Sequence, residues 1–220
     1  MNSVGEAFGW AFKDPAWLGK IAVQGLILII PIVGAIAASG WLLLAFENAR
    51  SGRNELPPAG FHLSRGIGLF GVYLIYAIVL NIPTFILSAV GGHTVTTEQG
   101  FTYSSGSPLA NLWQLIASLF LDFLLPTLIV MVYHRGFGGG FDLGNIWKYA
   151  MSNPTNSIVG GLVIFVSGLI GALGLIACCI GVFFTIIYSL SIQAGVAAWF
   201  ERQQSAPAAP AMPPPGAPAA

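Results

Sequence analysis

Apolar residues in this chain run in long blocks, with polar residues gathered in the gaps between them. A membrane-spanning helix needs about 20 apolar residues, because the hydrocarbon core is ~30 Å thick and a helix rises ~1.5 Å per residue. Residues 66–90 and 109–133 each meet that length as a single helix. The block 155–200 is too long for one span and divides at Cys178-Cys179-Ile180-Gly181 into two. The first block, 17–46, is ~45 Å long as one helix. Broken at Pro31-Ile32-Val33-Gly34 it becomes a hairpin with two arms of ~21 Å. Proline removes a backbone donor and disfavours helix at the residue before it, while glycine accepts turn geometry.

Charge decides between one arm and two. Cytoplasmic loops of membrane proteins accumulate Lys and Arg. Of the eight such residues here, Arg50, Arg53 and Arg65 lie between the first and second blocks. Arg135 and Lys148 follow the 109–133 block, and Arg202 follows the last. The hairpin adds Lys13 and Lys20 to that same face, whereas a single span sends them across. The connection 91–108 holds His93 and Glu98 but no Lys or Arg. The pattern therefore predicts an all-α bundle of six transmembrane helices in the plasma membrane, both termini cytoplasmic, with five spans as the alternative. Residues 1–12 contain no Lys or Arg, so the positive stretch that opens a cleavable signal peptide is not expected.

Two short segments suit helices lying along the headgroups. Residues 142–152 mix Leu143, Ile146, Trp147 and Tyr149 with Asn145 and Lys148, and Asp142 is a fitting N-cap. Val4, Phe8, Ala11 and Phe12 form a similar stripe; ordinary loops with aromatic anchors are the alternative for both. Trp17, Trp113 and Trp199 fall near span ends, where aromatic belts form. The chain thus divides into an interfacial segment 1–16, a membrane domain 17–204 and a Pro/Ala-rich tail 205–220. Such a tail lacks the apolar mass to fold.

Composition agrees. Hydrophobic residues make up 55% of the sequence, charged residues 7%, and mean hydropathy is +0.79. Soluble domains carry about 25% charged residues, so the expected surroundings are a lipid bilayer. Net charge is zero, which gives no basic surface for nucleic acid. Membrane-protein partners or a second copy of the chain are compatible with this surface.

Asp14-Pro15-Ala16-Trp17, Pro31-Ile32-Val33-Gly34, Gly40-Trp41, Arg50-Ser51-Gly52 and Leu56-Pro57 stand in an order and spacing that resembles a known set. The set belongs to the uncharacterised bacterial and archaeal membrane proteins of domain of unknown function 4013. Asn153-Pro154 and Cys179-Ile180-Gly181-Val182-Phe183 are similar to its C-terminal half. Members usually carry a tryptophan and acidic residues after the Leu-Pro; Pro58-Ala59-Gly60-Phe61-His62 stands here instead, as in a divergent member. The resemblance implies a polytopic membrane fold and assigns no activity.

Chemical motifs are few. Gly66-Ile67-Gly68-Leu69-Phe70-Gly71 has the letters of a dinucleotide fingerprint, but it opens a membrane span instead of linking a strand to a helix, so helix packing explains it. No Lys-Ser or Lys-Thr follows Gly136-Phe137-Gly138-Gly139-Gly140, which leaves a flexible turn. His62, His93 and His134 lie in separate connections. No catalytic triad, paired-carboxylate pattern or cofactor motif is present, so a non-enzymatic protein without metal or cofactor is expected. Cys178 and Cys179 read as small packing residues. Ser167, Gly168, Gly171, Ala172 and Gly174 give one helix a small-residue face, within the chain or towards another copy.

Asp122 is the sharpest signal. It lies at the centre of the 109–133 block, where an acid costs ~2.5–3.5 kcal/mol on insertion scales and usually faces a bundle interior. Pro126, four residues on, cannot bond the Asp122 carbonyl. Asn81, just ahead of Pro83 in the preceding block, is the leading candidate partner, with Gln24 and Gln193 as further ones. Asp122 is either a proton or cation site, or a structural acid bonded to a neighbouring helix. The leading expectation is a scaffold or accessory subunit of a membrane assembly; the alternative is a small transporter or proton-coupled permease using Asp122.

Overall fold

In the computed structural model of the protein, residues 3–91, 93–96, 102–105, 107–176 and 178–205 are described. The expectations for the tail from residue 206 and for Glu98 lie outside those residues. The architecture is helical: α1 (Glu6–Gly9), a 3-10 turn (Trp10–Lys13), α2 (Trp17–Leu28), α3 (Val33–Arg50), α4 (Leu63–Gly91), α5 (Pro108–Gly139), α6 (Leu143–Met151), α7 (Pro154–Leu173) and α8 (Cys178–Ser205). Between α4 and α5, β1 (His93–Thr96) pairs antiparallel with β2 (Thr102–Ser105), where the sequence pattern had suggested only a loop. Four helices are long and apolar enough to cross a membrane: Leu63–Gly91, Pro108–Gly139, Pro154–Leu173 and Gly181–Ser205.

The first apolar block is a hairpin of unequal arms. Helix α2 has 12 residues and α3 has 18, roughly 18 Å against 27 Å at ~1.5 Å per residue. The turn forces Ile32 to φ 62°, left-handed backbone that a β-branched residue rarely takes. Gly34 completes it, since a Cβ there would stand 2.4 Å from the Ile27 carbonyl oxygen.

The C-terminal halves of α3, α5 and α8 make the core, with Trp41, Phe46, Leu128, Ile129, Ile192 and Phe200 almost fully buried. Helices α4 and α7 flank this core and leave much of their apolar surface exposed, as lipid-facing helices do. Trp199 is buried and Trp113 donates its indole N–H to the Leu80 carbonyl at 2.8 Å. Both make helix contacts in addition to standing near span ends. The turn between α7 and α8 falls at Gly174, Leu175 and Ile176, so Cys178 and Cys179 open α8 instead of forming the turn.

Asp142 caps α6 by accepting from the Asn145 backbone N–H at 3.3 Å, and the helix buries Ile146 and Ala150 while exposing Leu143 and Trp147. The N-terminal stripe does not lie free along the surface. Trp10 is buried and donates its indole N–H to the Ser191 carbonyl at 2.8 Å, and the Tyr188 hydroxyl donates to the Phe8 carbonyl at 2.8 Å.

Asp14 ties this segment to the α3–α4 connection. Its carboxylate accepts from Lys20 Nζ at 2.7 Å, the Leu56 N–H at 2.8 Å and the Ala16 N–H at 2.8 Å. Lys20 also donates to the Leu56 carbonyl at 2.7 Å, and Trp41 to the Pro57 carbonyl at 3.2 Å. Burial opposes ionisation of Asp14, but Lys20 and the two N–H groups outweigh it and hold the carboxyl below its usual value. A carboxylate with a lowered folded pKa adds stability that is present above the unfolded value of about 3.9 and lost as pH falls through the folded one. Asp14→Asn should therefore cost about 1–3 kcal/mol at pH 7, and the gap to wild type should begin to narrow as pH falls below the unfolded value of about 3.9. Melting curves of both proteins in one detergent from pH 7 downwards check this; a gap that does not narrow at all below pH ~3.9 would exclude the ionised carboxylate as its source.

Candidate intramembrane site

The regular part of α5 ends at Gly136, where φ is +68°. That places Asp122 midway between Pro108 and Arg135. Pro126 carries no N–H to bond the Asp122 carbonyl, and α7 fits its backbone into the bend. A Cβ on Gly161 would stand 2.8 Å from Phe123 Cα, and one on Gly160 3.4 Å from Pro126 Cγ. Two adjacent glycines thus let α7 lie close against the Phe123–Pro126 stretch of α5.

Asp122 is half-buried and opens on a cavity of about 400 Å³ bounded by α3, α4, α5, α7 and α8, with Leu28 of α2 at its margin. Three further polar side chains line it: Ser39, Tyr73 and Gln193. The Tyr73 phenol lies within electrostatic reach of the Asp122 carboxyl. The remaining wall is apolar, with Leu42, Leu69, Leu125 and Ile164 among its residues. Asp122 itself makes no hydrogen bond or ion pair among the described residues. Behind Gln193 a polar string runs between α7 and α8. Gln193 donates to Ser189 Oγ at 3.4 Å, Ser189 to Ser167 Oγ at 3.3 Å, and Ser167 to the Ile164 carbonyl at 2.7 Å.

The candidate partners for Asp122 are thereby sorted. Asn81 donates to the Ala77 carbonyl of its own helix at 2.7 Å and does not line the cavity. An amide just ahead of a proline finds its acceptor one turn back, so it has no need of the acid. Gln24 accepts from the Gly60 N–H at 2.9 Å, beside the α3–α4 connection. Only Gln193 shares the cavity. Ser39 and Tyr73 were not singled out from the sequence, because each is an unremarkable polar residue in an apolar helix until tertiary packing brings it to the acid.

The other sequence motifs settle into packing roles. A Cβ on Gly66 would stand 1.8 Å from the Ile36 carbonyl oxygen, so this glycine brings α4 against α3, whereas Gly71 faces the Phe137 ring of α5. The small-residue face of α7 meets α8 of the same chain, where Thr185 donates to the Gly171 carbonyl at 2.7 Å. His62 pairs with the Pro58 carbonyl at 2.9 Å and His134 with Glu201 at 2.6 Å. No group of three His, Cys, Asp or Glu is placed to hold a metal among the described residues.

A second polar cluster closes the end where α3, α5 and α8 finish. Glu201 holds Arg50 at 2.6 Å, and Arg50 lies over the Tyr133 ring at 5.7 Å. Glu47 pairs with Arg65 at 2.6 Å, and Arg135 with Asp142 at 3.0 Å. Burial, with Glu201 adding and Arg50 opposing, pushes the Tyr149 phenol up to about 12. This end is held by ion pairs, whereas the described residues lining the Asp122 cavity form none.

Residues 23–198 match the family described as protein of unknown function (DUF4013). The chain belongs to that family. No curated protein and no solved structure matches it. In this DUF4013 member the motifs inside the matched range are contacts and turns: Gly34 closes the α2–α3 turn, Gly40 meets α4, and Leu56-Pro57 takes up Asp14, Lys20 and Trp41. They hold together the helices around the cavity on which Asp122 opens.

Proposed function

We propose that this DUF4013 member is a small non-enzymatic transporter that moves protons through Asp122, with the cavity taking the co-transported solute. The observation that carries this is a mid-span carboxyl that has no hydrogen-bond partner among the described residues and opens, with Ser39, Tyr73 and Gln193, on a space of about 400 Å³. A structural acid would offset its cost in the membrane by bonding a neighbouring helix. Polar groups converging at mid-membrane are what a transporter site needs, and small-molecule cavities run from about 300 to 1,000 Å³. In this proposal both arms of the first hairpin sit in the plasma membrane, giving six membrane helices. The arginine-rich end and both termini face the cytoplasm, and the β-hairpin faces outwards. A scaffold or accessory subunit is the second reading; the exposed apolar flank of α4 (Ile75, Ile78, Val79, Ile82, Phe85, Ile86) favours it, since lipid or a membrane partner would cover it.

Vesicles containing purified protein and a trapped pH dye test the proposal. A potassium diffusion potential should drive proton uptake by the wild type, and Asp122→Asn should abolish it while eluting as the same monodisperse species. Wild-type uptake equal to protein-free vesicles, or undiminished uptake by Asp122→Asn, would leave the scaffold reading standing in its place.

A further inference from the structure

Asp122 ends a row of polar side chains. At ~100° per residue, Asn111, Gln114, Ser118 and Asp122 fall within about 80° of arc on α5. On α4, Tyr73, Asn81, Thr84 and Ser88 fall within a similar arc. The two helices run antiparallel from the β-hairpin, and their contacts fix the register. Gly91 meets Ser107, Thr84 donates to Gln114 Oε1 at 3.1 Å, Trp113 donates to the Leu80 carbonyl, and Tyr73 lies near Asp122. The same register puts Ser88 level with Asn111 and Asn81 level with Ser118. Two polar rows therefore share one seam, which runs ~16 Å along α5 from Asn111 to Asp122.

The seam is open at its outer part, where Asn111 and Gln114 are exposed and Thr84, Ser88 and Ser118 half-buried. Beyond Asp122 the way is shut, for α5 is buried without interruption from Leu124 to Val132. Amides and hydroxyls in contact with lipid tails are costly. Asn81 and Ser118 each donate to a carbonyl of their own helix and Thr84 donates to Gln114. Water in the seam takes up the remaining donors and lone pairs, and side chains that both donate and accept are what a chain of bridging waters requires.

We propose that the α4–α5 seam is a hydrated half-path that delivers protons from the hairpin side of the membrane to Asp122. The inference rests on the proton-handling reading of that residue. A proton arriving on the last water is taken by the Asp122 carboxylate, giving the neutral acid and leaving the water neutral. Tyr73 is the only other titratable group among the described residues lining the cavity. None of the seam residues named carries a positive charge to repel the proton.

Single cysteines in a background with Cys178 and Cys179 replaced by alanine test the path. A membrane-impermeant cationic thiosulfonate is added from the hairpin side of sealed vesicles. Ser118→Cys should react at least tenfold faster than Ile116→Cys and Phe120→Cys, and Ser88→Cys and Asn111→Cys at least tenfold faster than Leu109→Cys and Leu112→Cys, controls at matching depth on the exposed face of α5 turned away from the seam. Seam cysteines that react no faster than these controls would overturn the proposal, as would labelling only from the other side. Disulfide-linked dimers through Asn111→Cys would assign the seam to a second copy and overturn it too. Serine to cysteine changes one atom, so the two serine variants keep the test valid if Asn111→Cys misfolds. Slow labelling with Asp122-dependent flux would sink the path alone; fast labelling with flux that survives Asp122→Asn would sink the proton-handling reading alone.

Discussion

Gly66→Ala should fail to accumulate as folded protein. The added Cβ would stand 1.8 Å from the Ile36 carbonyl oxygen and 2.7 Å from the Gly40 nitrogen, both backbone atoms of α3. No rotamer change can relieve a clash between a Cβ and a main chain, so α4 must move bodily. That movement would draw Arg65 from Glu47 and Tyr73 from the cavity. Overpacking that side chains can absorb costs about 1–3 kcal/mol; here the upper end or more is expected, which is ~6–12 °C in a chain of this size. Gly68→Ala is the control, because its nearest neighbouring atom is 3.8 Å away. Fluorescence-detected gel filtration of the two variants in one detergent separates them. Equal monodisperse yields would show that α3 and α4 do not approach as closely as described.

How far this close approach could be read in advance follows from the kind of signal each residue gives. Block length and the placement of Lys and Arg located the long helices, because both report on the solvent each segment meets. Asp142 and its helix were legible for the same local reason: a cap and an apolar stripe lie within nine residues. Gly66 could be recognised as a packing glycine, yet nothing in the sequence named Ile36 as what it packs against. The helix contacts of Trp113 and Trp199 were not legible from depth alone, since a residue near a span end can also face a neighbouring helix. The turn after α7 comes earlier than the cysteine pair, at Gly174, where a Cβ would stand 2.1 Å from Thr185 Oγ1 of α8 and only glycine fits.

The site divides along the same line. Asp122 stood out because one acid in an apolar block is costly wherever its neighbours lie. Its surroundings did not, because a cavity among five helices depends on pairings that one chain's spacing leaves open. Asn81 was attractive for its proximity in sequence and for the proline beside it, but the helix bond to Ala77 satisfies its amide locally. The polar rows of α4 and α5 are each spread over more than ten residues of apolar sequence. They become a seam only once Thr84 and Gln114 set the register.

The missing partner reverses the sign expected for one substitution: Asp122→Leu should melt at a higher temperature than wild type. If the acid were bonded to a neighbouring helix, leucine would strand that neighbour and cost more than asparagine. With no hydrogen bond to lose, the balance is set by solvation. Insertion scales separate Asp from Leu at a helix centre by roughly 3–4 kcal/mol. Asp122 is only half-buried and lines an open space, so about 1–2 kcal/mol of that difference should appear in folding, or ~2–8 °C. Leucine also has room, since the cavity beside it measures about 400 Å³. Asp122→Asn should melt close to wild type, because it keeps the shape and the polar contact with the cavity. Scanning fluorimetry of the three proteins in one detergent at pH 7 gives the order directly. Leucine above wild type, with flux lost in both variants, is the pattern of a group retained for function against stability. A leucine variant that melts below both others would mean that Asp122 has a structural partner, and would return this residue to the helix–helix contacts.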